Sequence, residues 1–522
     1  MTTNRTKQYF FLLISMLLLA VIALPAGERT HIGGVSLARA FVGYARGLEA
    51  IGTNPANLTL PHREPPRGWI TETIPYDSTV TVKDSLGNDS TYVIELTRDT
   101  TWLVEYFPPA VSFSIPAFSW GTNFGSDFIN YDIYKEYFTG VPDIDGDGER
   151  DPRYLNDDDK NKILELFPSG LSETHFDFEL RAFGFTVHND FIGDIGMSVT
   201  EKVAANLDLP KDYMRFFFFG LDSLGSFYDF DGTSIRGWHL REYALSYARK
   251  LPMLNYKHFY NVSAGLGLKL VHGYEVAITE KYNASFANKP NPNGGWDLIG
   301  NFDTRILRST SFNPDDDNEE YNPIGSPAGT GIGIDLGIGA DVYQAIRAGF
   351  SITDIGSITW TKNTKETIGN ASFVMTNPTQ QEQFDSLKDA FTGKDTTTGE
   401  FSTTLPTAMR LGAAIQVDQL PFIGSFPGEL LVSIEYHQGF NLSPGNTTRA
   451  RFAIGTEYRP ARWIPIRTGI SMGGVDRFNW AAGFGLDFGG FNWNFGTENF
   501  GLLFSPNNWD QASFGMSMIV RI

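Results

Sequence analysis

An all-β, transmembrane antiparallel barrel of about 14 strands, with a short N-terminal hatch and a few small helices, is the fold this sequence predicts. Three observations predict it: apolar residues recur at every second position, the alternating stretches are long, and the last of them runs to the final residue. In residues 331–342, Ile332, Ile334, Leu336, Ile338, Ala340 and Val342 share one face, while Gly331, Gly333, Asp335, Gly337, Gly339 and Asp341 share the other. The same alternation returns in Tyr260–Leu270, Leu405–Val417, Leu430–Tyr436 and Trp480–Phe488. A soluble sandwich would use strands of roughly five or six residues. These stretches suit the roughly 9–11 residues that a tilted strand needs to cross a bilayer.

The elements justify themselves in chain order. Arg5 and Lys7 precede an apolar run from Tyr9 to Leu24, and Ala23, Ala26 and Gly27 follow, so residues 1–26 read as a cleaved signal peptide. The run is shorter than the roughly 20 residues of a membrane-spanning helix. Residues 27–68 read as the hatch, in which Leu37, Phe41, Tyr44, Ala45 and Leu48 predict a helix over 36–50 that Asn54-Pro55-Ala56 breaks. Residues 69–170 carry a predicted hairpin at 79–106, turning at 84–88, and a predicted helix at 157–167 capped by Asn156 or Asp157. These pieces are too polar to face lipid, and their place is inside the barrel or beyond the membrane. Residues 171–522 hold the main part of the barrel. Its small inner face of Gly, Ser, Asp and Arg argues against a greasy pocket, and Tyr343, Trp360, Tyr458, Trp463 and Trp493 are expected in the interfacial aromatic girdles.

Composition narrows the functional classes. The chain has 522 residues, 54 glycines, 14% aromatics and a formal net charge of −19, with no stripe of Lys and Arg, so nucleic acid is excluded as a partner. Cysteine is absent, which removes thiol chemistry and cysteine-ligated zinc. Gly469-Ile470-Ser471-Met472-Gly473 matches a nucleophile-elbow pattern, but an alternating strand follows where a helix is required. The eight histidines show no H-E-x-x-H spacing, and the chain is not expected to be an enzyme.

One motif points to a metal. Asp143, Asp145 and Asp147 stand at alternate positions before Gly148, and Glu149 and Asp151 follow, in the order of a calcium loop whose hard oxygen ligands converge on one ion. The twelfth position, which should be a bidentate Glu, is Tyr154, and Gly140 and Pro142 break an entering helix. A structural calcium ion is therefore expected, not a sensor.

The segment GVSLARAFVGYARGLEAIGTNPANL, with the hatch motif Asn54, Pro55 and Ala56, resembles the opening of the FadL-like superfamily of outer-membrane barrels. LPTAMRLGAA at 405–414 is similar to a strand that recurs there. The stretches LNDDDKNKIL, LDLPKDYMRFFFFG and LREYALSYARKL resemble a family of uncharacterised outer-membrane proteins within that group. The resemblance implies a cell outer-membrane location, lipid and the barrel assembly machinery as partners, and a channel or uptake protein for small hydrophobic compounds. A PorV-like role, binding or shuttling exported proteins in a secretion system, is the alternative implication. A structural surface barrel is the third.

Overall fold

The computed structural model describes residues 29–522 except 62–68, 84, 88, 104–110, 143–150, 152, 168–169, 221–224, 257–258, 293, 314–320, 323, 343–344, 377–380, 384, 387–392, 421, 424–425 and 506–510. The chain forms two compact units, Pro61–Pro109 and the remainder. The smaller unit is a hairpin of β1 (Trp69–Lys83) and β2 (Asp89–Leu103), in unbroken register from Trp69↔Leu103 to Lys83↔Asp89. The ladder thus starts ten residues before the expected hairpin start at Thr79 (79 − 69) and turns at the expected place.

The larger unit is a closed barrel. Its first wall strand is split into β3 (Val111–Ser114) and β4 (Trp120–Ser126), both paired with β5 (Leu171–Val187). This strand lies before residue 171, in the stretch expected to hold only the hairpin, the calcium loop and a helix. Next come β6 (Asp194–Pro210), the short β7 (Phe227–Asp229), β8 (Ser234–Lys250) and β9 (Phe259–Pro290). The first half of β9 pairs with β11 (Gly329–Val342), and its second half pairs with β10 (Trp296–Thr310). Then β12 (Ile346–Trp360) continues beyond the wall into β13 (Lys365–Met375), which joins β10 and β14 (Lys394–Thr397). Both β15 (Phe401–Thr404) and β16 (Ala408–Gln416) pair with β12. The wall ends with β17 (Glu429–Gly439), β18 (Arg451–Arg459), β19 (Ile466–Gly473), β20 (Phe478–Asp487), β21 (Phe491–Thr497) and β22 (Gln511–Arg521). β22 closes on β3 and β4, with Val111 and Ile522 exchanging backbone hydrogen bonds of 3.0 and 2.8 Å. With the split strands counted once, and β7, β10, β13 and β14 standing beyond the wall, fourteen strands form the ring among the described residues.

The alternation does what it predicts. Ile332, Leu336 and Ile338 are exposed on the barrel's outside, as are Leu266, Leu268, Leu270, Phe484 and Phe514, while Asp335 is fully buried. An apolar exterior on a closed antiparallel ring is the lipid face of a membrane barrel. The turns at 188–193 and 488–490, at one end of the barrel, are short, and the connections 211–233 and 311–328, at the other end, are long. Trp463 stacks on Phe488 at the short-turn end, and Trp480 packs against Phe500 and Phe504 at the other. Tyr343 lies outside the described residues, and Trp360 departs from the girdle altogether, as described below. No described helix is long and apolar enough to cross a membrane, which says nothing about strands.

The small helix Asp157–Glu165 carries the expected cap, with Asn156 accepting from Asp159 N at 2.9 Å. The hatch does not form the expected helix over 36–50. It has a single helical turn at Ile32–Val35, turns at 36–39 and a 3-10 turn at Gly47–Ala50. Ala38, Arg39 and Gly47 take positive φ values of 53°, 62° and 52°, which a helix cannot accommodate. Leu37, Phe41, Ala45 and Leu48 are buried and Tyr44 partly buried because wall surrounds the hatch, and burial from several sides needs no helical stripe.

Candidate functional site

The hatch fills the lumen, and the glycines of the inner wall are what let it fit. Side chains built on Gly121, Gly265, Gly337, Gly483, Gly496 and Gly515 would collide with Arg29, Pro55 and Ala56, Asn54, Ser36 (from both Gly483 and Gly496), and Ile32. At Gly455 and Gly469 a Cβ would lie 2.7 and 2.5 Å from atoms of Leu37. The inward glycines of the alternating strands are therefore the contact surface of the hatch, where backbone must approach backbone closely.

The hatch backbone, lacking regular structure, finds its hydrogen bonds on wall carboxylates. Phe41 N and Val42 N donate to Glu435 Oε2 at 2.8 and 2.7 Å, and Thr30 N donates to Glu179 Oε2 at 2.9 Å. Glu435 also faces Arg410 and Arg451, 3.4 and 3.5 Å from its Oε1. Arg29 pairs with Asp177 and Glu498, and Arg39 Nε donates to Glu498 Oε1 at 2.5 Å. Tyr44 OH donates to Glu457 Oε1 at 3.0 Å, and that carboxylate is held by Arg459 Nε at 2.7 Å and Arg467 Nε at 2.5 Å. These charges are buried and paired, as buried charges must be.

Asn54, Pro55 and Ala56 sit fully inside. Asn54 Oδ1 accepts from Ala56 N at 3.2 Å, capping the 3-10 turn Pro55–Thr59, and its Nδ2 donates to Ile338 O of β11 at 3.1 Å. Asn57 Nδ2 donates to Val42 O at 2.8 Å and so ties the two limbs of the hatch together. The motif is thus a folded corner seated on β9 and β11.

Beyond the hatch, toward the end with the long connections, the lumen changes character. Trp238, Leu240, Val271, Ile358, Trp360 and Leu405 pack into an apolar tier with Ala204, Val276 and Ala328. Further out, Tyr228, Phe230, Phe286, Leu298, Phe302 and Met375 form an aromatic tier, with Tyr213 and Phe216 of the helix Lys211–Phe219 against it. β9 joins the levels. Its Gly265 faces the hatch, Lys269 lies in a layer of ion pairs, Val271 and Val276 belong to the first tier, and Ala284 and Phe286 to the second. This explains a strand of 32 residues, roughly three times the 9–11 needed for a crossing.

The apolar tier is what sequence reasoning missed, and phase shifts are the reason. β12 has a bulge where Asp354, at φ 57°, turns inward beside Thr353, so inward positions change from odd (Arg347, Gly349, Ser351) to even (Ile358, Trp360). Trp360 is therefore fully buried, with Nε1 donating to Thr403 Oγ1 at 2.9 Å, and is no girdle residue. A bulge at Tyr274 shifts β9 in the same way. Pro406 separates β15 from β16, so Leu405 points inward while Leu411 stays outside.

Asp143, Asp145, Asp147 and Glu149 lie outside the described residues. Asp151 is described, and its bridge with Val141, N–O distances 2.9 and 3.1 Å, closes the base of their loop. Among the described residues no three His, Cys, Asp or Glu side chains are grouped to hold a metal ion.

The chain is similar over most of its length to solved barrels of low sequence identity. The toluene transporter TbuX of Ralstonia pickettii is 12% identical, with 93% of this chain and 98% of that one covered at a TM-score of 0.40. A FadL homologue of Pseudomonas aeruginosa is 11% identical, with 96% and 99% covered at 0.40. The toluene transporter TodX of P. putida is 10% identical, with 93% and 98% covered at 0.36. No curated protein matches. A family of unknown function, DUF5723, matches residues 108–498, well over half of the chain, and the protein belongs to that family.

Proposed function

We propose that this barrel is an outer-membrane uptake protein for small hydrophobic compounds. The observation that carries the reading is the apolar tier of Trp238, Leu240, Val271, Ile358, Trp360 and Leu405 inside the lumen, between the aromatic tier and the hatch. A barrel interior is ordinarily polar, and a tier of buried apolar side chains in the path of entry suits a solute that water rejects. The solute would meet the aromatic tier first, settle in the apolar tier and pass when the hatch shifts.

Native mass spectrometry of the protein taken from outer-membrane fractions tests this. A retained apolar molecule is expected, and Trp360→Asp should lower its retention about tenfold or more, since an uncompensated charge in the apolar tier opposes an apolar occupant. Retention of a surface protein in place of a small molecule would favour the secretion-linked reading, and nothing retained would count against uptake.

Calcium at Asp143, Asp145, Asp147, Glu149 and Asp151 belongs to the same proposal as a brace for an extracellular loop. Chelation is expected to lower thermal stability or open the loop to proteases while the barrel stays intact. Absence of calcium binding at millimolar concentration would contradict it.

A further inference from the structure

The connection between β17 and β18 does not stay on its own side of the ring. Gly445 N donates to Asn206 Oδ1 of β6 at 3.0 Å, and Leu442 O accepts from Arg236 Nη1 of β8 at 3.1 Å. Arg449 pairs with Glu173 of β5. On its home side the same connection is held by the segment that joins β15 to β16. Ser443 Oγ donates to Thr404 O at 2.7 Å, Asn441 Nδ2 to Leu405 O at 2.6 Å and Asn446 Nδ2 to Thr407 O at 3.2 Å. Between β6 and β16 stand four strands on one side of the ring (β8, β9, β11, β12) and eight on the other (β17 to β22, the split β3 and β4, and β5). Residues 440–449 therefore bridge two separated walls across the lumen.

The bridge lies over the apolar tier. Asn206 pairs with Arg236, and Ala204 pairs with Trp238 two positions nearer the hatch on each strand. Leu405, whose carbonyl holds Asn441, belongs to that tier. Ser443, Asn446 and Thr447 are 8%, 6% and 8% exposed, so the segment is packed in although it is a connection. Its sequence explains its shape. In Ser443-Pro444-Gly445-Asn446, Pro takes the second position and Gly445 the third at φ 75°, the pattern of a type II turn, closed by Asn446 N donating to Ser443 O at 2.8 Å. The turn presents Gly445 N to Asn206.

Side chains, not a ladder, hold this segment in place. Among the described residues, no backbone–backbone hydrogen bond ties 441–449 to either wall. The segment can leave the far wall by breaking two hydrogen bonds and the Arg449–Glu173 pair, while the ladder of the barrel stays whole. We propose that residues 440–449 are a detachable strap that shuts the apolar tier off from the end with the long connections, and that a solute reaches the tier when the strap leaves Asn206 and Arg236. The cover stands on the contacts above, and the passage of a solute rests on the uptake reading.

The chain has no cysteine, so introduced thiols report without background. Val271→Cys, close in size to the residue it replaces and 0% exposed in the tier, is the reporter. In the folded barrel in detergent its labelling by N-ethylmaleimide should be slow, and about fivefold faster when Asn206→Ala removes one far-wall hydrogen bond. Thr404→Cys combined with Ser443→Cys, at hydroxyls 3.0 Å apart, should form a disulfide that pins the strap. In cells, accumulation of a labelled apolar solute should stop when this pair is oxidised and return on reduction. Labelling of Val271→Cys that Asn206→Ala leaves unchanged would overturn the proposal, as would accumulation that continues with the pair oxidised. Accumulation absent even from the unsubstituted protein, together with faster labelling in Asn206→Ala, would defeat the uptake reading and support the strap as a cover.

Discussion

Glu435→Ala is expected to release the hatch. One carboxylate accepts from Phe41 N and Val42 N and faces Arg410 and Arg451, all inside the lumen. Its removal orphans two buried amides, at about 1–3 kcal/mol each, and leaves two guanidinium groups with less compensation. Breaking a buried ionic cluster from one side costs about 3–5 kcal/mol. The ladder of the wall does not pass through this side chain, so the loss should fall on the hatch. In a purified sample the variant should keep its heat-dependent gel shift, unfold at lower temperature and be cut by proteases within residues 29–61. Glu435→Gln, which keeps an acceptor for the amides but not the charge, should show a smaller effect. A hatch as protected in Glu435→Ala as in the unsubstituted protein would show that the carboxylate does not hold it.

A second large effect is expected at Gly265. A side chain there would run into the backbone of Pro55 and Ala56, which cannot rotate away as a side-chain tip would. Overpacking in a well-filled interior typically costs about 1–3 kcal/mol, and a collision with backbone belongs at the upper end. Gly265→Val should displace the Asn54-Pro55-Ala56 corner, raise single-channel conductance in planar bilayers and expose the hatch to proteolysis. Gly295→Ala is the matched control, because nothing lies within 4 Å of its added carbon. Equal conductance in the two variants would mean that the hatch does not rely on close contact at Gly265.

Much of this architecture could be read from the chain because a barrel wall writes its two faces in alternation. Leu266, Leu268 and Leu270 face lipid, and the intervening Gly265 and Gly267 face inward. The C-terminal strand, read as apolar at every second residue to Ile522, pairs to its last residue with Val111. The helix expected at 36–50 failed because hatch side chains are buried from several directions, and its donors are met by Glu435 and Glu179 where a helix would use its own carbonyls. The inner face of Gly, Ser, Asp and Arg read from the alternation is what the hatch level shows, and above it buried apolar side chains take over. Bulges at Tyr274 and Asp354, and the break at Pro406, each reverse which residues point inward, and a strict period of two cannot register a reversal. A non-glycine at positive φ, such as Asp354, has no signature in composition or spacing.

The most direct test of an uptake barrel with an apolar inner tier is accumulation of labelled small apolar solutes by cells that carry the protein, compared with cells that lack it. Faster accumulation of at least one solute class is expected with the intact protein, along with a drop of about tenfold or more in Trp360→Asp, which sets a charge in the apolar tier, at equal surface abundance. Equal rates with and without the protein, across solutes spanning aliphatic and aromatic classes, would contradict the account.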